Sequence, residues 1–263
     1  MEGARKPARA AGVTSLRLDH VTKHFGGVEA VADLSVAFER KRVTGLIGPN
    51  GAGKTTIVNL ITGLVQPSAG AILLGDRPLA DAPPDVIARL GIARTFQNVR
   101  LLPEASVLDN IVVGFHRHER TGLWANTVGT PAIWRERREF RARAAELLKR
   151  FGLVEFAARP AGALSYGHRR LVEVMRALAM APDFLLLDEP AAGMNDVENR
   201  TLGHIIRGLA EEGIGIVLIE HNMRFVMEAC DLICVIDSGH LIAQGTAETV
   251  RADPAVIHAY LGG

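Results

Sequence analysis

A glycine-rich segment in the first quarter of the chain has the residue types and spacing needed to hold phosphate. From position 48 it reads Gly-Pro-Asn-Gly-Ala-Gly-Lys-Thr-Thr, between a strand-like run (43–47) and a helical run (57–61). Glycines let backbone N–H groups wrap phosphate oxygens, and the following helix adds the positive end of its dipole. Lys54 can reach the β- and γ-phosphates, and the Thr55 hydroxyl can ligate Mg²⁺. The spacing predicts a nucleotide site made of Gly48, Pro49, Asn50, Gly51, Ala52, Gly53, Lys54, Thr55 and Thr56.

A second pattern is an apolar run, 184–187, that ends in two acids, Asp188 and Glu189. An acid at the carboxyl end of a strand in a parallel sheet faces the crevice where ligands bind. Asp188 is therefore predicted to hold Mg²⁺, directly or through water. Glu189 is predicted to polarise the water that attacks the γ-phosphate. Alone, the pattern could mark only a strand end and a turn, but its position after a phosphate loop favours the catalytic interpretation.

A third pattern is Leu-Ser-Tyr-Gly-His at 164–168, at the start of a helical run over 170–180. A Ser and a Gly at a helix N-terminus form an anion-binding element. One nucleotide rarely needs two phosphate cradles from the same chain. Ser165 and Gly167 are therefore predicted to contact a nucleotide held by a second copy or by a partner.

These motifs, in this order, resemble the ATP-binding cassette (ABC) family over nearly the whole chain beyond residue 15. The resemblance extends to Gln97 in Thr-Phe-Gln and to His221 in Ile-Glu-His. It implies that Gln97 contacts Mg²⁺ and the lytic water, and that His221 contacts the γ-phosphate and orients Glu189. It also implies that Phe25 stacks on adenine, although Phe25 could instead be a core residue at a strand end. The implied cofactors are ATP and Mg²⁺, and the implied fold is an α/β P-loop NTPase cassette with an inserted all-helical subdomain.

Further details look like one branch of the family, the ATPase subunits of branched-chain amino acid importers. They are the Tyr-Gly-His form of the signature, Gly-Met-Asn at 193–195, Ile-Glu-His-Asn-Met at 219–223 and the segment 253–262. This branch implies transmembrane permease subunits, a second ABC ATPase (a paralogue or a copy) in a head-to-tail dimer, and indirectly a periplasmic or extracellular solute-binding protein. It places the chain in the cytoplasm, peripheral on the inner face of the cell membrane. An ATPase of a lipid or lipopolysaccharide exporter and a soluble ABC ATPase outside transport remain alternatives.

Three residues depart from the general family pattern. Tyr166 replaces the first Gly of the signature pair, and His168 replaces the usual Gln. Gly167 still offers a backbone N–H, so the cradle is expected to work with altered packing beside it. Asn195 stands where most cassettes have Asp, which keeps hydrogen bonding, loses the charge and could change communication between two sites.

The elements that position these motifs alternate between strands and helices, which favours an α/β fold with a largely parallel sheet. Strand-like segments occur at 16–21, 34–38, 43–47, 71–74, 184–187, 216–219, 232–236 and 240–243. From about 98 to 163 strand signals vanish; an amphipathic helix is predicted over 135–151 and a loop over 120–131. The predicted organisation is a flexible tail (1–15), an ATP-binding core (16–97 and 164–245), a helical subdomain contacting the membrane partner (98–163) and a C-terminal helical segment (246–263). Within the helical subdomain, 99–103 and 107–110 are the predicted exposed docking region.

The amino-acid composition limits the classes of protein to which this chain can belong. Of the 263 residues, 48% are hydrophobic, which permits a sizeable core, and the net charge of +1 gives no reason to expect a nucleic-acid partner. No apolar run approaches the roughly 18–20 residues that span a bilayer. Cys230 and Cys234 lack the second pair that a zinc site needs, so they are interpreted as small core residues in a reducing compartment.

Overall fold

The computed structural model describes residues 15–95, 99–118 and 131–261. These residues form ten strands: β1 (Ser15–Phe25), β2 (Val28–Glu39), β3 (Val43–Ile47), β4 (Ala69–Leu74), β5 (Arg77–Pro78), β6 (Ile92–Arg94), β7 (Phe184–Asp188), β8 (Gly215–Ile219), β9 (Leu232–Asp237) and β10 (His240–Gly245). They also form nine α-helices: α1 (Lys54–Ile61), α2 (Pro84–Leu90), α3 (Val107–Val113), α4 (Pro131–Arg150), α5 (Tyr166–Ala179), α6 (Asp196–Glu211), α7 (Met223–Ala229), α8 (Ala247–Ala252) and α9 (Pro254–Leu261). Among the described helices, none combines the length and the apolar character needed to cross a membrane.

The central sheet has six strands in the order β10-β9-β3-β8-β7-β6. Its strands pair in parallel, except that β10 runs antiparallel to β9. Every residue of β3, β7 and β8 is buried, as continuous apolar runs predict for strands covered on both faces. The carboxyl ends of β3, β7 and β8 therefore lie side by side, and each is followed by one of the motifs singled out in the sequence.

A second sheet is antiparallel, with the order β2-β1-β4-β5. The sequence pattern predicted the strands near 16–21, 34–38 and 71–74, but it did not separate them from the parallel sheet. Their alternating burial is typical of an antiparallel sheet with one covered face. That face packs with α1 and one side of the central sheet in a shared apolar core that includes Leu18, Phe38 and Ile57. Two short strands, β5 and β6, were not predicted at all.

Between β6 and α5, the described residues 99–118 and 131–163 form helices joined by turns and irregular backbone, with no strand beyond an isolated bridge between Ser106 and Pro160. Helix α4 begins four residues earlier than the predicted 135 and ends at Arg150, next to the predicted 151. Its predicted apolar face is buried at Phe140, Ala144 and Leu148 and packs against α3, α5 and α6 residues. Of the predicted loop 120–131, residues 120–130 lie outside the described residues, and Pro131 begins α4.

In the second half of the predicted docking region, the expected exposure is wrong at Val107 and Asn110. Val107 and Asn110 are 0% and 1% exposed, because α3 turns them toward the core. The Asn110 side chain is also occupied: its oxygen accepts from the Leu102 N–H at 2.8 Å, and its amide donates to the Leu102 carbonyl at 3.0 Å. The apolar side chains that do reach the surface here are Leu102 and Val113, both about half exposed.

Phe115, in the short 3-10 helix Gly114–His118 after α3, holds α4 in place. Its ring is 2% exposed and stacks on Phe140 with 5.4 Å between centroids, and the Arg143 guanidinium lies 4.8 Å from it. We expect Phe115→Ala to lower the free energy of unfolding by about 3–5 kcal/mol, because it leaves a cavity in the core. Trp134→Ala, which removes an exposed aromatic ring of α4, should change it by less than about 0.5 kcal/mol. Urea unfolding of both variants checks this, and equal midpoints would contradict the packing role.

Candidate active site

The phosphate loop connects the carboxyl end of β3 to the first turn of α1, so its backbone N–H groups and the helix N-terminus face the same space. Two of its glycines cannot be replaced without a shift of the backbone. A Cβ at Gly48, which has φ 148°, would lie 1.9 Å from the Ile236 carbonyl oxygen. A Cβ at Gly53, with φ 102°, would lie 2.4 Å from the Ala30 carbonyl oxygen. The loop is thus wedged between β2 and the end of β9.

Lys54 is the buried cation of the loop, with 6% of its surface exposed. Its Nζ donates to the carbonyl oxygens of Gly48 and Pro49, each at 2.7 Å, and so it holds the loop closed over itself. Burial lowers the pKa of Lys54, while the nearby carboxylates of Glu189 and Asp188 act in the opposite direction. The ammonium therefore lies between the loop and the two acids, where phosphate oxygens would be bound.

Asp188 ends β7 and is 4% exposed. Its Oδ2 accepts from Arg94 Nη2 at 2.9 Å, and Arg94 Nη1 donates to Asn59 Oδ1 at 2.6 Å. The Asp188 backbone N–H also donates to the Thr95 hydroxyl at 3.2 Å. Sequence reasoning missed Arg94, because it lies on β6, a strand whose three residues gave no pattern. Asp188, at the end of β7, is thus hydrogen-bonded to Arg94 and Thr95, which shortly precede Gln97 in the chain.

Glu189 and His221 form a pair across the ends of β7 and β8. His221 Nε2 lies 2.7 Å from Glu189 Oε1, and the Glu189 backbone N–H donates to the Ile219 carbonyl at 2.9 Å. Glu189 has φ 49°, in the left-handed region that costs a non-glycine residue about 1–3 kcal/mol. Strained backbone of this kind clusters at functional sites, and here it points the carboxylate into the space beside the phosphate loop.

Glu220, next to His221, is a buried carboxylate that sequence reasoning did not single out. It is 4% exposed, and its two oxygens accept from the Ala191, His221 and Asn222 backbone N–H groups. Burial raises the pKa of Glu220, and the three N–H groups oppose the shift. The signal that could have found it is the same as for Asp188: an acid at the end of an apolar strand.

The phosphate loop and the residues that follow β7 and β8 surround one open cleft with a volume of about 370 Å³. Its walls include residues 50–56, Asp188, Glu189 and His221, together with 28–30 and the turn at Ser238 and Gly239, which the sequence did not indicate. Phe25 lies at the end of β1, about half exposed, with Lys23 Nζ 5.0 Å from its ring centroid; it does not line the cleft. Gln97 lies outside the described residues.

The signature element does not line this cleft. Ser165 caps α5, where its hydroxyl accepts from the His168 N–H at 3.3 Å, and Gly167 is buried. The element packs on the loop 191–195 of its own chain: a Cβ added at Gly193 would lie 3.1 Å from the Tyr166 ring. Asn195 caps α6 by accepting from Val197 and Glu198, a role that Asn and Asp perform equally well. Within one chain the signature element therefore lies outside the cleft of the phosphate loop.

The donors near the phosphate loop fit Mg²⁺. The Thr55 hydroxyl and the Asp188 carboxylate line the cleft and offer the hard oxygen ligands that Mg²⁺ prefers. No group of three or more His, Cys, Asp or Glu side chains is placed to hold a metal among the described residues. One hydroxyl and one carboxylate match an Mg²⁺ ion that is held by one or two protein groups together with nucleotide phosphates.

The two thiols take no part in this site. Burial raises the pKa of Cys230 and of Cys234 to about 12, so both remain protonated at neutral pH. Cys234 is fully buried and Cys230 is partly buried against an apolar cluster, which agrees with their interpretation as small hydrophobic residues. The C-terminal helix α9 reaches the phosphate loop, because Tyr260 accepts a hydrogen bond from the Gly48 backbone N–H. Burial raises the pKa of Tyr260, and this hydrogen bond acts in the opposite direction.

Comparison with known families gives two matches. Residues 31–192 match the family model described as "ABC transporter". Residues 240–263 match the model described as "Branched-chain amino acid ATP-binding cassette transporter". The first match spans the phosphate loop, the signature element and both acids at the end of β7.

The chain is similar over nearly its whole length to characterised relatives. It is 44% identical to the branched-chain amino acid transport ATP-binding protein BraF of Pseudomonas aeruginosa and 43% identical to LivG of Escherichia coli, each over 94% of this chain and 97% of the relative. It is 33% identical to the lipopolysaccharide export ATP-binding protein LptB of Escherichia coli, over 95% of this chain and 98% of that one.

Solved structures agree with this assignment. A nucleotide-free ATP-binding cassette from an ABC transporter superposes with a TM-score of 0.83 at 30% identity, covering 95% of this chain and all of that one. The expected α/β cassette fold is therefore confirmed. With a matching family model over more than half of its length, the chain belongs to the ABC transporter family and is one of its ATP-binding, ATP-hydrolysing subunits.

Proposed function

We propose that this chain energises an importer of branched-chain or other hydrophobic amino acids. The observation that carries the proposal is the 44% identity to BraF, which spans almost the full length of both proteins. The match of residues 240–263 to the branched-chain amino acid cassette model also supports it. An exporter ATPase is the weaker candidate, because identity to the lipopolysaccharide export protein is only 33% over a comparable length.

In the proposed mechanism, the phosphate loop and Lys54 bind the nucleotide phosphates. The Thr55 hydroxyl and Asp188, with Gln97 as a further candidate, would hold Mg²⁺, which neutralises phosphate charge when bound. Glu189 accepts a proton from the attacking water, and His221 orients the Glu189 carboxylate through their 2.7 Å contact. Catalysis then consists of positioning and electrostatic stabilisation.

The proposed active state is a head-to-tail pair of cassettes. Ser165 and Gly167 are not among the residues that line the cleft of their own chain, so their anion-binding element is available to another nucleotide site. In the pair, the signature of each cassette closes the nucleotide site of the other. Phe25 is proposed to contact the adenine at the edge of the cleft, since its half-exposed ring has room for a stacking partner.

The second ATPase is either a copy of this chain or a related one. The helical segment is proposed to contact transmembrane permease subunits on the inner face of the cell membrane. The exposed Leu102 and Val113 offer apolar contact area there, in place of the buried Val107 and Asn110. A solute-binding protein would choose the transported solute without contacting this chain. Closure and reopening of the cassette pair would then drive the permease.

Reconstitution tests the proposed transport function. The chain, purified from membranes with its permease, is placed in proteoliposomes with ATP on the side of the cassettes. We expect ATP hydrolysis and leucine, isoleucine or valine uptake to rise together when the loaded solute-binding protein is added opposite. The same preparation carrying Lys54→Ala is the control and should give neither. A rate of ATP hydrolysis that rises with a lipid or lipopolysaccharide, and not with amino acids, would favour the exporter.

A further inference from the structure

We propose that Glu220 is a positioning residue for ATP hydrolysis: its buried carboxylate holds the ends of β7 and β8 together and so fixes the Glu189–His221 pair. Glu220 touches neither the phosphate loop nor the open cleft, so it acts through its neighbours. The inference rests on the roles proposed above for Glu189 and His221.

The hydrogen bonds of Glu220 reach both loops that carry these residues. Oε1 accepts from the Ala191 N–H at 2.8 Å, two residues after Glu189 in the chain. Oε2 accepts from the His221 N–H at 3.1 Å and lies 3.5 Å from the Asn222 nitrogen. One carboxylate thereby sets the distance between the backbone after β7 and the backbone after β8. The contact between His221 Nε2 and Glu189 Oε1 spans the same gap at the level of the side chains.

The chemistry at this position requires a carboxylate. Each of its two oxygens faces backbone N–H donors, and a carboxylate is the side chain that accepts with both oxygens and donates with neither. A glutamine of the same shape would turn an amide NH₂ toward one of the two loops and leave donor facing donor. Holding an ionised group at 4% exposure is costly unless it is hydrogen-bonded, and here backbone donors of two loops supply those bonds.

Glu220 also restrains the loop 191–195, which packs against the signature element. Ala191 begins the segment 191–195, and Gly193 of that segment packs against Tyr166. The left-handed backbone of Glu189 lies immediately before this segment and needs surrounding structure to hold it. The bond to the Ala191 N–H restrains the backbone two residues after Glu189.

The test compares Glu220→Gln with a matched control in the purified full-length chain. Asp183→Asn is the control, since Asp183 is a buried acid (8% exposed) at the opposite end of β7, where it pairs with Arg40 at 3.3 Å. For Glu220→Gln we expect kcat to fall by about tenfold to a hundredfold, as small misplacements of reacting groups do, with the dissociation constant for ATP within about twofold of the wild type. Asp183→Asn should keep kcat near the wild-type value even where its melting temperature falls.

A double variant separates positioning from plain destabilisation. If Glu220 acts through Glu189, adding Glu220→Gln to Glu189→Gln should lower kcat no further than Glu189→Gln alone. Three results would overturn the proposal. The first is that the two losses in kcat multiply in the double variant, and the second is a Glu220→Gln kcat within about twofold of the wild type. The third is a fall in kcat for Asp183→Asn as large as the fall for Glu220→Gln. Failure of Glu189→Gln itself to slow hydrolysis would instead refute the role proposed for Glu189, which keeps the two failures distinct.

Discussion

Replacing Glu189 by Gln is expected to leave ATP binding intact and to slow ATP hydrolysis by about 10²- to 10⁴-fold, the usual contribution of a general base. The amide keeps the size of the carboxylate and can still contact His221, but it cannot take a proton from water. ATP should therefore remain bound and unhydrolysed, and the cassette pair should accumulate in its closed form. Single-turnover hydrolysis, a filter-binding measurement of ATP affinity and size-exclusion chromatography with ATP check the three parts.

The control for Glu189→Gln is Glu212→Gln, which removes a surface carboxylate that pairs with Arg150 at 2.8 Å. Glu212 precedes the amino end of β8, whereas the cleft lies at the carboxyl ends of the strands. This control should hydrolyse ATP at the wild-type rate. Undiminished turnover in Glu189→Gln would remove Glu189 from the mechanism. The backbone strain at Glu189 would then need another explanation than the placement of a base.

Replacing Lys54 by Ala is expected to weaken ATP binding by at least tenfold. Hydrogen bonds to charged groups contribute about 1.5–3 kcal/mol each, and 1.4 kcal/mol corresponds to a factor of ten in affinity. The substitution removes the buried cation of the cleft and also the donor to the carbonyls of Gly48 and Pro49. Isothermal titration with ATP measures the first effect, and thermal unfolding without nucleotide measures the second.

Lys149→Ala is the control for Lys54→Ala, because Lys149 is exposed in the last turn of α4. It should bind ATP as the wild type does. An unchanged dissociation constant for Lys54→Ala would contradict the assignment of the phosphate loop. A lower melting temperature with unchanged affinity would mean that Lys54 serves only to close the loop.

The strands that a site motif follows directly in the chain were predicted with accurate bounds. The run 43–47 was predicted with the bounds of β3, and the runs 184–187 and 216–219 lie within one residue of β7 and β8. Buried parallel strands are continuous apolar runs, and the motifs at their carboxyl ends are local in sequence. Helix α4 was predicted for a similar reason, since its apolar period is local.

The predictions of strands and of burial failed where a segment's structure depends on contacts with residues that are distant in the chain. The three residues of β6 have no periodicity of their own and become a strand by pairing with β7, some 90 residues away. The antiparallel sheet of β1, β2 and β4 was not distinguished because strand direction depends on pairing. Val107 and Asn110 were placed on the surface because their burial depends on α5 and α4, which pack over α3.

The sequence by itself determined that this chain binds nucleotide phosphates, since the glycines, Lys54 and Thr55 are contiguous and their chemistry depends on local backbone. It also determined the family, through the order of the motifs. Only the tertiary structure decided that Arg94 pairs with Asp188 and that Glu220 bonds the loops after β7 and β8. It also places His221 Nε2 2.7 Å from Glu189 Oε1, a contact that the family resemblance had only implied. These pairs join residues that are far apart in the chain, and the sheet brings them together by aligning the carboxyl ends of its strands.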